Sequence, residues 1–323
     1  MLTIRPFQNA DPPRLVELQR KCQQDIFSPL SISQLQAQVL GLPMTDLRSM
    51  MLAFDDDELV GYIHTALSPD ADGSRLVNTT GQICMLCADP AYPNRSEVLT
   101  ALLQAGEAYL VNCGVQEIFG GSPSPAMPFY TGFYGGGEVV GFLQKDEAIV
   151  RSFLDTGYRI DQKTTWFHLD MHRYEPLSST DALAWLHTVT IEINDAPRAK
   201  SWYEGCILLN GNWLEAMAFF NATGKAIARI RIRISCPSSD EPFVLYNGLW
   251  TASLIDIRVH PDFRHQGVGK FLLSELVRHL ADRRQIIQID AHIAEDSLAL
   301  YALLNGLNWE QKEQGYIFYK TVR

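Results

Sequence analysis

One stretch restricts this chain more than any other: Val259-His260-Pro261-Asp262-Phe263-Arg264-His265-Gln266-Gly267-Val268-Gly269-Lys270. It leaves a β-rich segment, Ser253 to Val259, turns through two glycines, and opens a segment in which Phe271, Leu272, Leu276 and Leu280 recur with helical spacing. The first backbone N–H groups of such a helix have no internal partners and sit at the positive end of its dipole. A terminus of this kind receives phosphate or pyrophosphate. Gly267 and Gly269 remove side chains that would hold the anion away. The spacing predicts an anion-binding turn made by Arg264, His265, Gln266, Gly267, Val268, Gly269 and Lys270, with Ile257 and Val259 on the strand leading into it.

Downstream, a strand from Ile286 to Ala291 leads to Glu295-Asp296-Ser297-Leu298-Ala299-Leu300-Tyr301, with Gly306 beyond. Taken together, these segments resemble the GNAT acetyltransferases, whose pyrophosphate loop reads Q/R-x-x-G-x-G/A between the fourth strand and the third helix. In that family the next strand leads to a helix with a tyrosine and a closing glycine. Ala294 stands where the family usually has asparagine, and the step from Tyr301 to Gly306 is one residue longer than usual. The resemblance implies acetyl-CoA as cosubstrate, held by Ile257, Val259 and residues 264–270, and direct attack by an amine in a ternary complex. It also implies that the Val259 N–H holds the thioester oxygen and that Tyr301 protonates the departing sulfur.

An amine with a lysine-like pKa of about 10.4 arrives protonated, so a base must take its proton. The family often sets that base on the fourth strand in two-residue steps before the valine. Here those positions are Ile257, Ile255 and Ser253, and strict alternation puts Asp256 on the opposite face. Glu215, Asp290 and His292 remain as candidates. Trp202, Tyr203, Trp213 and Trp250 are candidates for lining an acceptor pocket.

The first half repeats this order without its chemistry. Cys87-Ala88-Asp89-Pro90 stands where Val259-His260-Pro261 does, but Tyr92 to Val98 has no glycine and puts Glu97 at the helix start, where it opposes a pyrophosphate. Asp146 to Phe153, closing at Gly157-Tyr158, matches the helix that bears Tyr301, with Phe153 in the tyrosine's place. Pro90 to Phe153 spans 63 positions against 40 from Pro261 to Tyr301. The excess points to Gly120–Gly141, a glycine- and aromatic-rich loop read either as a wall over the neighbouring site or as filler of its own cleft. The expected fold is α+β: two tandem GNAT domains, residues 1–172 degenerate and 173–323 with the acetyl-CoA site, each a mixed, mostly antiparallel sheet flanked by helices.

The formal charge of −10 argues against a nucleic-acid partner and suits a cationic or neutral small-molecule or peptide amine. No run approaches the roughly 20 apolar residues of a membrane span, and Met1 to Pro6 lacks a signal-peptide core, so a cytoplasmic protein without a membrane partner is expected. Cys84 and Cys87 form a lone C-x-x-C with no second pair, so no metal site is expected and the cysteines read as buried thiols. Two other functions fit the same motifs. One is a catalytically silent acyl-CoA-binding sensor, against which the intact Tyr301 counts. The other is transfer of a longer acyl chain, which a wide apolar pocket near Val259 would reveal.

Overall fold

The structure, a computed structural model, describes residues 1–22, 31–121, 129–130, 141–174, 184–209, 212–235, 250–283 and 286–322. Apart from its ends and Phe129–Tyr130, the Gly120–Gly141 loop lies outside these residues, as does Cys236.

The strands are β1 (Leu2–Pro6), β2 (Met50–Asp55), β3 (Glu58–Pro69), β4 (Leu76–Ala88), β5 (Glu117–Gly120), β6 (Phe142–Leu143) and β7 (Arg159–Asp170) in the first half. In the second they are β8 (Val189–Asn194), β9 (Asn212–Phe220), β10 (Lys225–Ser235), β11 (Trp250–Val259), β12 (Ile286–Ala294) and β13 (Glu310–Thr321). Alternating apolar residues form two hairpins: β2 turns into β3 at Asp56, whose φ is +51°, and β9 pairs with β10. Two pairs run parallel, β4 with β5 and β11 with β12. Such pairs need a long crossover, supplied by the helices Arg95–Asn112 and Val268–Arg283.

All these strands join one sheet, in the order β1-β2-β3-β4-β5-β13-β7-β12-β11-β10-β9-β8, with β6 also on β13. Each half therefore hands its last strand to the other. β13 lies between β5 and β7, while β7 lies between β13 and β12. The expected division after residue 172 falls just past β7, a strand whose neighbours both come from the second half.

Alternation along the exchanged strands explains what they bury. Phe167 and Leu169 of β7 join Phe271, Leu272, Leu276 and Leu280 of helix Val268–Arg283 in the second half's core, together with Ile289, Ala291 and Ile293 of β12. Phe318 of β13 joins Val98, Leu102, Leu103 and Phe153 in the first half's core. Phe153 stacks on Phe318 at 4.3 Å with 5° between planes, and Tyr301 meets Phe167 edge-on at 4.9 Å. The halves are thus matched, each packing the helix before its last strand, Glu147–Asp155 or Leu298–Asn305, on a strand borrowed from the other. On its other face the first half buries Tyr203 and Cys206 of helix Trp202–Leu208 beside Leu15, Leu18 and Tyr62.

Among the described residues no helix is long and apolar enough to cross a membrane, and no group of three or more His, Cys, Asp or Glu could hold a metal ion. Cys84 and Cys87 are free and buried, and burial pushes both thiols up from their ordinary range.

Candidate functional site

β10 and β11 stay in register from Ala228 opposite Val259 to Arg231 opposite Asp256, then slip so that Ile232 faces Leu254. Ile255 is the extra residue, a β-bulge. His260 donates its N–H to the Ile227 carbonyl at 2.7 Å, which makes Ala228 and Val259 a non-hydrogen-bonded pair, and two residues on Ile230 and Ile257 form another. The N–H groups of Val259 and Ile257 therefore point away from β10. On that side β12 stays in register with β11 only as far as Leu254 opposite Ala291. Both N–H groups are directed into the opening beyond.

The bulge also reverses the strand's faces. Ala252 and Leu254 belong to the core under helix Val268–Arg283, and past the bulge it is Ile257 and Val259 that pack against that core. Ser253 thus lies opposite Arg233, on the same face as Asp256 opposite Arg231. The sequence reading, which set Ser253 on the face of Ile257 and away from Asp256, is corrected by that one residue.

The two glycines have different reasons. Gly267 sits at φ +84°, after His265 at +59°, in the left-handed region. A Cβ on Gly269 would meet Val259 Cγ2 at 3.3 Å and Ile257 Cδ1 at 3.8 Å. Gly269 lets the helix start lie directly on β11. Side chains brace the turn: Arg264 Nε donates to the Val259 carbonyl at 3.1 Å, Gln266 Nε2 to the Asp262 carbonyl at 2.7 Å, and Trp185 Nε1 to the Gln266 carbonyl at 2.7 Å.

A cleft of about 800 Å³ opens over this turn. Its wall includes Ile257, Val259, Arg264, His265, Gly267, Val268, Gly269 and Lys270. Gln266 is not on that wall. Lys200, Arg229 and Arg258 also line the cleft, which carries five Lys or Arg and no Asp or Glu. In a chain of net charge −10 this concentrates positive potential at a helix start. Asp256, behind the wall, takes Arg229 at 2.5 Å and Arg258 at 3.0 Å. These three cations escaped sequence reasoning, although Arg229-Ile230-Arg231-Ile232-Arg233 shows a strand with one charged face.

Tyr301 is outside the wall, to which its helix contributes Ala299, Leu300 and Leu303. Its hydroxyl donates to Gln311 Oε1 at 2.9 Å. Glu215 is buried against Arg231, which also binds Glu204. Asp290 is fully buried and accepts from Trp166 Nε1, His168 Nδ1 and Gln288 Nε2, each at 2.9 Å. Burial holds its carboxyl above the ordinary range despite these donors. His292 has both ring nitrogens buried. Of the aromatic candidates, Tyr203 is in the first half's core, Trp250 packs on the second half's core, Trp213 is buried and Trp202 is 42% exposed.

In the first half the matching position is shut. Arg95 donates through Nε to the Ala88 carbonyl at 3.1 Å, as Arg264 does to Val259, but its Nη1 and Nη2 grip Asp146 at 3.0 and 2.6 Å. Asp146 caps helix Glu147–Asp155. A bidentate ion pair clamps the two helix starts together, in addition to the charge of Glu97 in the first turn.

Residues 183–306 match the model of the acetyltransferase (GNAT) family. Comparison with curated proteins gives no match. Among solved structures, a tandem GNAT protein from the clavulanic acid biosynthesis pathway, determined without acetyl-CoA, is 13% identical with a TM-score of 0.70, covering 99% of this chain and 98% of its own. A GCN5-related N-acetyltransferase from Sphaerobacter thermophilus is 14% identical with a TM-score of 0.66, covering 100% and 96%. A glucosamine N-acetyltransferase region of a fungal multi-domain β-N-acetylglucosaminidase is 13% identical with a TM-score of 0.67, covering 99% of this chain and 38% of that one. The chain has the tandem GNAT fold.

Proposed function

We propose that this tandem GNAT protein, whose family domain spans residues 183–306, transfers acetyl from acetyl-CoA to an amine by direct attack in a ternary complex. The observation that carries the reading is the cation-lined cleft at the start of helix Val268–Arg283, beside an opening that receives the N–H groups of Val259 and Ile257. The pyrophosphate takes the helix-start N–H groups with Arg264 and Lys270. The Val259 N–H holds the thioester oxygen as charge develops there. Tyr301 is the candidate proton donor to the thiolate, for which its hydroxyl exchanges Gln311 for sulfur. Helices Val268–Arg283 and Leu298–Asn305 pack over one face of the sheet, so the amine enters from the other.

In this reading residues 1–172 hold no second cosubstrate and shape the site of residues 173–323. The test is a screen of small-molecule and peptide amines with acetyl-CoA, reading free thiol, beside calorimetry on the full chain. The expected result is one acetyl-CoA per chain and thiol release that depends on the amine. Binding without release for any amine supports the acyl-CoA-binding alternative, and no binding refutes both.

A further inference from the structure

The two halves carry the same strand pair with different side chains on it. Asp89 donates its N–H to the Val60 carbonyl at 2.8 Å, as His260 does to Ile227 at 2.7 Å, and Gly61 faces Ala88 as Ala228 faces Val259. Both pairs then slip by one residue, after His64 in the first half and after Arg231 in the second. On the face away from helix Arg95–Asn112 the first half sets Leu52, Tyr62 and Cys87 in one row, and packs Leu15 and Leu18 of helix Pro12–Cys22 on them. The corresponding row of the second half is Met217, Arg229 and Arg258, and the next on that face is Glu215, Arg231 and Asp256. A face that is core in one half is charged in the other.

Charges on a half-buried sheet are costly unless paired, and these pair in a fixed order. Arg231 takes Glu204 and Glu215, while Arg229, 13% exposed, shares Asp256 with Arg258 and reaches Glu215 only at 3.8 Å. The acids stand behind and the cations in front: Lys200, Arg229 and Arg258 line the cleft, and Glu204, Glu215 and Asp256 do not. Lys200 is exposed, and the Arg258 side chain is 71% exposed. Arg258 meets Asp256 through Nε alone, which leaves Nη1 and Nη2 without a hydrogen bond among the described residues.

We infer that the acceptor carries an acid group, carboxylate or phosphate, beside its amine, and that Arg258 and Lys200 hold that group. The inference rests on the acetyl transfer proposed above and names its substrate class. Arg258 adjoins both Ile257 and Val259, whose N–H groups serve the thioester, but its side chain is on the face from which the amine enters. Acetyl-CoA has its pyrophosphate between pantetheine and nucleotide. With the pyrophosphate at the helix start and the thioester against β11, the 3′-phosphate lies beyond the helix start and leaves Arg258 to the acceptor. A wall of cations repels a plain ammonium ion, and an acid group on the same molecule reverses that effect. The two Nη groups suit it, since a guanidinium binds an oxyacid with two parallel N–H donors.

The test uses the full chain, acetyl-CoA and matched amines: amino carboxylic acids and aminoalkyl phosphates of graded length, methyl esters of the former, and plain alkylamines. Thiol release is expected from the acids, of either kind, with kcat/KM about 10–10²-fold above the ester or alkylamine of equal length. Arg258→Gln and Lys200→Gln, both at exposed positions, are each expected to raise KM for the acid about tenfold with kcat nearly unchanged. Neither should alter KM for the ester, nor the calorimetric affinity for acetyl-CoA or 3′-dephospho-acetyl-CoA. Esters and alkylamines that turn over as well as the acids overturn the proposal while acetyl transfer stands. So does an Arg258→Gln variant that binds acetyl-CoA more weakly but its 3′-dephospho form as before, since the arginine then belongs to the nucleotide. If no amine of any class yields thiol from the unaltered chain, acetyl transfer falls and this proposal with it.

Discussion

Expression from residue 173 onward removes β7 from beside β12 and tests whether the exchanged strand is integral to the second half. The fragment loses the side chains of Phe167, which is fully buried, and Leu169, which is 7% exposed. Burying such a side chain contributes about 1.5–3 kcal/mol, so the pair accounts for about 3–6 kcal/mol. The buried hydrogen bonds to Asp290 add little to this sum, because without β7 that carboxylate is rehydrated. A domain's net stability is about 5–15 kcal/mol, so the loss approaches the whole margin, and it leaves the edge of β12 unpaired. β13 loses β5, β6 and β7 together. The 173–323 fragment is expected to aggregate or melt without a cooperative transition, and a fragment beginning at 159, which restores β7, to recover cooperative urea unfolding and measurable acetyl-CoA binding. The reasoning fails if 173–323 unfolds cooperatively at the full chain's midpoint and binds acetyl-CoA with the full chain's affinity.

Gly267→Glu is expected to lose acetyl-CoA binding by calorimetry, since it strains a φ of +84° and puts a carboxylate among the cleft's cations; full binding would move the anion site elsewhere. Tyr301→Phe should slow turnover about 10²-fold or more with acetyl-CoA affinity unchanged; unaltered turnover, with chemistry rate-limiting, leaves Tyr301 as a packing partner of Phe167. His64, buried beside Phe129 and Tyr130, is lowered by desolvation from 6.5 to about 3. The unfolded chain therefore takes up a proton near 6.5 that the folded chain refuses until about 3, and stability falls as pH drops through that window. His64→Leu should flatten this part of the denaturation curve against pH, and an unchanged slope would assign it to other groups.

Local periodicity made most elements legible, because a helix face or strand alternation is written within a dozen residues. Helix Val268–Arg283 and the hairpin β9–β10 are of this kind. Partner choice is not local. Nothing in Phe167 or Phe318 says that the face it buries belongs to the other half, and His168 has no sequence neighbour that announces Asp290, 122 positions away. The bulge at Ile255 escaped for a related reason: an inserted residue shows only against the opposite strand. Gly267, Val259 and Arg264 were legible because turn, strand end and helix start are contiguous. Lys200 and Arg258 reach the same cleft only through folding, and the Arg95–Asp146 clamp joins residues 51 positions apart.

Strand exchange also sets an order of events on the ribosome. Tyr319 of β13 donates to Glu117 of β5 across 202 positions. At a synthesis rate of about 5–20 residues per second, roughly 10–40 s pass between the appearance of the two strands. During that interval β5 presents an open edge and Phe153 lacks the ring it stacks on, the kind of surface that invites pairing with another nascent chain. The first half is thus made first and completed last, its sheet closed only when residues 310–321 arrive.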